Sequence, residues 1–133
     1  MTFHYDTNVA IGIIGRPGYR ARHDSLAAGG ERACVSSIVL FELWFGVARS
    51  NRFERNAGVL RSFLSLVDVL AFSDDAAIAA GELRATLKAA GTPIGPYDLL
   101  IAAHAVRLGA TLVTANMREF SRVPGLKLEN WTR

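Results

Sequence analysis

An α/β fold, with helices on both faces of a mostly parallel central sheet, follows from three observations. Short β-type runs alternate with longer helical ones along the whole of the 133 residues. Capping and turn residues mark the joins between these runs. Half of the residues are hydrophobic, enough for a continuous core in one domain spanning residues 1–133. Sheets of this class place their binding chemistry at the carboxyl ends of the strands.

The elements follow in order. "FHY" predicts an opening strand that ends near Asp6, residues 8–14 a short helix, and residues 17–28 a second helix after the "GRPG" break. "ACVSS" is the second strand, and Ser36 or Ser37 caps a helix through "IVLFELWFGVARS". "RFERNAGVLRSFLSLV" gives a further helix with apolar positions at Val59, Leu60, Phe63, Leu64 and Val67, and "DVLAF" the third strand. Ser73 or Asp74 caps "DAAIAAGELRATLKAAG", which Gly91 closes as a left-handed cap residue. Pro96 falls in the first turn of the helix "YDLLIAAHAVRLG", ended by Gly109. The strand "ATLVTA", a short helix "MREFSRV" and a last strand "LKLENW" complete the chain.

Composition narrows the class. Charged residues are 20% of the chain and interrupt every long apolar stretch, which argues against disorder and a membrane span. The start "MTFHYDTNVAIGIIG" carries an acid where a secretory signal would be apolar, so a cytoplasmic location is expected. Cys34 is alone and sits among apolar residues as a small core side chain. The net charge of +3 permits a polyanionic partner without arguing for one.

Acids recur where the pattern returns the chain to one edge of the sheet. Asp6 ends the first strand, and Glu42 lies amid Leu40, Phe41, Leu43, Trp44 and Phe45, where an unpaired carboxylate is costly to desolvate. Asp98 lies in the first turn of its helix, where it either serves a site or simply complements the helix dipole. Past the fourth strand, "TANMREF" offers Asn116 and Glu119, as ligands or as capping and solvated groups. His4, His23 and His104 are far apart, so the donor set is oxygen only and suits Mg²⁺ or Mn²⁺ rather than zinc. Such carboxylates would repel one another without a cation.

The segments "YDTNV", "SSIVLFELWFGVARS", "GELRATLKAAGTPIGPYDLLIAAHA" and "LVTANMREFSRVPGLKLENW" resemble, in order, the signature segments of the PIN-domain ribonucleases, and within them the VapC toxins of bacterial toxin–antitoxin pairs. The resemblance covers nearly the whole chain and implies a PIN-like three-layer α/β/α sandwich. It carries the family's first three acids onto Asp6, Glu42 and Asp98 as catalytic metal ligands. The fourth position departs from the pattern. Ala115 stands for a frequent Asn, leaving Asn116 and Glu119 to complete the site, with Glu82 facing either the metal or solvent.

The implied activity is an Mg²⁺- or Mn²⁺-dependent endoribonuclease that leaves 5′-phosphate and 3′-hydroxyl ends. Thr7, Asn8 and Thr114 would orient carboxylates or waters, or else cap a helix and end a strand. Arg84 with Lys88, and Arg118 with Arg122, are paired on helix faces where they meet RNA phosphates or merely solvent. Relatives cleave tRNA or other structured RNAs, so tRNA is the leading substrate. Phe41, Trp44 and Phe45 beside "ARSNRFER" look too apolar for a free surface, which fits the homodimer and the cognate VapB-type antitoxin that the resemblance implies. Two rivals stand beside this: an inactive PIN module that binds RNA or a protein, and a phospho-acceptor domain, whose third strand would have to end in an acid that "DVLAF" lacks.

Overall fold

The computed structural model describes residues 1–132. Its five strands form one all-parallel sheet in the order β3-β2-β1-β4-β5. β1 is Thr2–Tyr5, β2 Arg32–Ser36, β3 Asp68–Leu70, β4 Thr111–Val113 and β5 Lys127–Glu129. Between them run α1 Thr7–Gly15, α2 Pro17–Ala28, α3 Ser37–Ala48, α4 Phe53–Leu64, α5 Asp74–Ala89, α6 Pro96–Arg107 and α7 Met117–Phe120.

The order dictates the layers. From β1 the chain steps outward to β2 and then β3, crosses back to β4 beside β1, and steps outward the other way to β5. Crossovers between parallel strands share one hand, so steps in opposite directions put their helices on opposite faces. α1 to α4 therefore cover one face, where they pack on one another, and α5 to α7 the other, where α5 lies along α6. The chain reverses direction between β1 and β4. A crevice opens at such a switch point, outside the carboxyl ends of the two strands.

The central strands are covered on both sides and are correspondingly apolar. Phe3, Tyr5, Ala33, Val35, Leu112 and Val113 are all buried in one core cluster with Val9, Val39, Leu60 and Ile101. Cys34 is fully buried, as its surroundings in the sequence suggest. Two histidines join the core: the His4 and His104 rings meet edge to face at 5.5 Å, and His104 Nδ1 is 2.9 Å from Ser36 Oγ. Among the described residues no helix is long and apolar enough to cross a membrane.

Caps sit where the sequence puts them in most cases. Ser36 Oγ accepts from Ile38 N, Ser73 Oγ accepts from Ala76 N, and Gly91 and Gly109 take φ of 71° and 66° past the ends of α5 and α6. Three details differ from expectation. The expected strands at 68–72, 110–115 and 126–131 pair over only three residues each. Val59 of α4 is 40% exposed, the buried line of that helix being Ala57, Leu60 and Phe63. Finally, α7 is a single turn that ends at Phe120, so Arg122 lies beyond it and shares no helix face with Arg118.

Candidate active site

Asp6 closes β1 and opens α1 at once. Its backbone N–H extends the ladder to Val113 O at 3.2 Å, and its Oδ1 accepts from Val9 N at 2.8 Å as the N-cap of α1. The Thr114 hydroxyl, at the end of β4, donates to Oδ2 and in turn accepts from Asn116 N at 2.9 Å. The carboxyl is thus held on both oxygens while only 5% exposed. Burial pushes its pKa up, the two hydrogen bonds pull it down, and the Glu42 charge pushes it up again.

Glu42 comes from α3, whose buried stripe is Val39, Leu43 and Val47. It lies half-buried beside that stripe, and its Oε1 accepts from Thr7 Oγ1 at 2.6 Å. The sequence suggested a glutamate enclosed by Phe41, Trp44 and Phe45. Instead these three are 51%, 39% and 60% exposed, so they do not bury the carboxylate and form an aromatic surface next to it.

Asp98 and Glu119 make the opposite wall. Pro96 at N1 and Gly95 at the N-cap start α6, which sets Asp98 in the first turn. Glu119 Oε1 accepts from Gly95 N at 3.1 Å, and its Oε2 accepts from Asn116 Nδ2 at 2.8 Å, while Asn116 Oδ1 caps α7. The pair shares a hydrogen bond. Burial first, then that bond, then the charges of Glu119, Asp6 and Glu42 push the Asp98 carboxyl up to about 7. Glu119 is held low by its bonds to Asn116, Asp98 and Gly95, so when the pair holds one proton it sits on Asp98.

Four carboxyl groups from β1, α3, α6 and α7 therefore act electrically on one another at the switch-point crevice. Thr7, Thr114 and Asn116 hold them, whereas Asn8 is exposed on α1. Glu82 stays outside: it is exposed on α5 and is not among the charges acting on Asp98. Arg84 and Lys88 line a separate apolar groove of about 780 Å³ that contains none of the four acids. Arg122 reaches that groove's rim through a 2.9 Å bond to Pro93 O, and Arg118 is exposed on α7. Sequence reasoning missed the Gly95 N–H as an anchor and Asp6 as a cap. A Gly-Pro pair before an acid carries the first signal, and an acid immediately before a helical run carries the second.

Among the described residues, no three acids, histidines or cysteines are gathered closely enough to hold a metal ion as they stand. The donor set nonetheless fits a hard divalent cation. It is all carboxylate, and burial first, then the Glu119 hydrogen bond and the neighbouring acidic charges, disfavour the ionised form of Asp98, which a cation would favour.

The PIN domain family profile matches residues 5–126. The "tRNA(fMet)-specific endonuclease VapC" of Salmonella typhimurium is 42% identical over 132 residues, 98% of each chain. "Ribonuclease VapC2" of Rickettsia felis is 42% identical over 134 residues and the full length of both. The crystal structure of VapBC2 from Rickettsia felis, bound to a DNA fragment from its promoter, superposes with a TM-score of 0.93 at 41% identity, covering 98% of this chain and 99% of that one. The order of its acids, its all-parallel sheet and these full-length likenesses agree, and the chain belongs to the PIN-domain family, in its VapC branch.

Proposed function

We propose that the chain is a divalent-metal-dependent endoribonuclease of the VapC type, acting on tRNA or another structured RNA and silenced by a VapB-type antitoxin. The observation that carries the reading is the carboxylate group of Asp6, Glu42, Asp98 and Glu119 at the carboxyl ends of β1 and β4, with Asp98 raised to about 7 by burial and its acidic neighbours. Asp6, Glu42 and Asp98 would hold Mg²⁺ or Mn²⁺, directly or through water, with Glu119 completing the site. Such a cation supplies charge neutralisation and a more acidic water for in-line attack on a phosphodiester, leaving 5′-phosphate and 3′-hydroxyl ends.

The chain's own part is positioning. Val9 N–H and the Thr114 hydroxyl fix both oxygens of Asp6, Thr7 steers Glu42, and Gly95 with Asn116 aims Glu119 at Asp98. Without a cation, Asp98 is the member of this wall that takes up a proton first, as pH falls through about 7. Arg84, Lys88 and Arg122, on the separate groove, and the exposed Arg118 would contact phosphates of the RNA away from the acidic crevice. The exposed Phe41, Trp44 and Phe45 supply apolar surface for a homodimer and for the antitoxin. A cytoplasmic location follows from the tRNA substrate.

The test is cleavage of total tRNA by purified, antitoxin-free protein with Mg²⁺ or Mn²⁺, against EDTA. Metal-dependent fragments with 5′-phosphate ends support the reading. No cleavage of any RNA with either metal would refute it and leave a binding module.

A further inference from the structure

Beside Asp6, on the flank of α1 toward α2, lies a cavity of about 430 Å³ that the carboxylate group does not use. That is within the range of clefts that take small ligands, roughly 300–1,000 Å³. Asn8, Gly12, Arg16, Tyr19, Ala115 and Thr132 line it. It adjoins the reacting centre through two of its wall residues. Its wall residue Val9 donates to Asp6 Oδ1, and Ala115 connects Thr114, which donates to Asp6, with Asn116, which holds Glu119.

The aromatic wall is built rather than incidental. A Cβ on Gly12 would stand 2.3 Å from Tyr19 Cδ2, so only glycine lets the ring lie against α1. The Trp131 ring meets Tyr19 edge to face at 6.1 Å and Tyr5 at 5.3 Å, tying the tyrosine to the core. Arg16, at the α1–α2 break, sets its guanidinium 5.7 Å from the Tyr19 ring centroid, and among the described residues no carboxylate pairs with it. Asn8, two residues after Asp6, adds an exposed amide. A fixed aromatic ring, an unpaired cation and an amide at the edge of a phosphodiester-cleaving centre match the parts of a nucleotide: base face, phosphate and base edge.

We infer that this cavity is a nucleotide subsite of the substrate RNA, taking the base next to the scissile phosphate against Tyr19, with Arg16 on the adjoining phosphate. The inference rests on the ribonuclease reading above and adds to it the contact that chooses where the RNA is cut. An extended RNA fits better than a protein segment here because the wall pairs an aromatic ring with an unpaired cation and an amide.

The test is an abasic scan. Short single-stranded RNAs spanning the cleavage point, each lacking one base, are titrated by fluorescence anisotropy in EDTA against wild type, Tyr19→Leu, Tyr19→Phe and Arg16→Ser. Loss of one base beside the scissile phosphate should weaken wild type roughly 5- to 100-fold. Tyr19→Leu should bind the intact RNA that much more weakly and become indifferent to that same abasic site, while Tyr19→Phe behaves as wild type. Arg16→Ser touches no core packing, and should weaken all the RNAs alike and flatten the salt dependence by about one charge. If Tyr19→Leu and Arg16→Ser both keep the wild-type profile, the subsite is wrong, including where they instead lose antitoxin binding. Wild type that neither binds nor cuts RNA would overturn the ribonuclease reading along with it.

Discussion

The two walls of the acidic crevice are built on opposite principles. On the β1 wall, Asp6 is nearly sealed from solvent and both its oxygens accept bonds from groups that the fold itself places, Val9 N–H and the Thr114 hydroxyl. On the α6 wall, Asp98 is half-buried and its chief partner is another acid, Glu119. One carboxylate is fixed by neutral donors and the other is tolerated by sharing a proton. On the proposed reading, the fixed wall would set the geometry and the proton-sharing wall would be the one that a cation relieves most.

The largest effect should come from the fixed wall. Asp6→Asn keeps an oxygen to cap α1 but removes the charge, so cleavage should fall by about three orders of magnitude or more, ~4 kcal/mol in the barrier, with the melting temperature little changed. Wild-type cleavage rates in that variant would remove Asp6 from the chemistry. Thr114→Val tests the support: it unpairs a buried carboxylate oxygen and the Asn116 N–H, and should cost 10- to 100-fold in activity and about 1–3 kcal/mol in stability.

The same wall has a weakness two residues upstream in β1. His4 is 1% exposed, neither ring nitrogen has a hydrogen-bond partner, and burial, then the charges of His104 and Arg32, lower its pKa to about 4. The neutral ring is what the fold accepts. The unfolded chain takes up a proton near 6.5 and the folded chain does not until about 4, so this group's stability is fully present above 6.5 and is lost as pH falls toward 4. The loss should approach ~3 kcal/mol. Urea unfolding at pH 7, 5.5 and 4.5 checks it, with His4→Leu expected to flatten the slope; an equally steep acid limb in that variant would place the cause elsewhere.

The contrast between the walls also explains what the sequence could and could not tell. Alternating runs and caps locate every strand and helix, because those signals are local: Ser36, Ser73, Pro96 and Gly91 act within a turn of themselves. The surroundings of Glu42 differ from expectation for a physical reason. α3 is apolar on every side, so its pattern does not say which stripe goes inside. Packing chooses Val39, Leu43 and Val47, which leaves Phe41, Trp44 and Phe45 outside. Likewise the "MREFSRV" run looks helical as far as Val123, but the helix stops one turn in. The meeting of Asp98 with Glu119, and of both with Gly95 and Asn116, depends on two loops from distant parts of the chain. No local pattern encodes that.

The smallest effect is the most diagnostic, because it should differ in sign between the walls. Asp98→Asn keeps a hydrogen-bond donor for Glu119 while removing a carboxyl group that burial and three acidic neighbours already disfavour in its charged form. In EDTA at pH 8 the variant should melt higher than wild type by a few degrees, whereas Thr114→Val melts lower. Saturating Mn²⁺ should then raise wild type by a comparable amount, about 2.7 kcal/mol at a hundredfold excess over Kd, and raise Asp98→Asn much less. If Mn²⁺ shifts both proteins equally, the α6 wall takes no part in holding a cation, and the strain on Asp98 belongs to the fold alone.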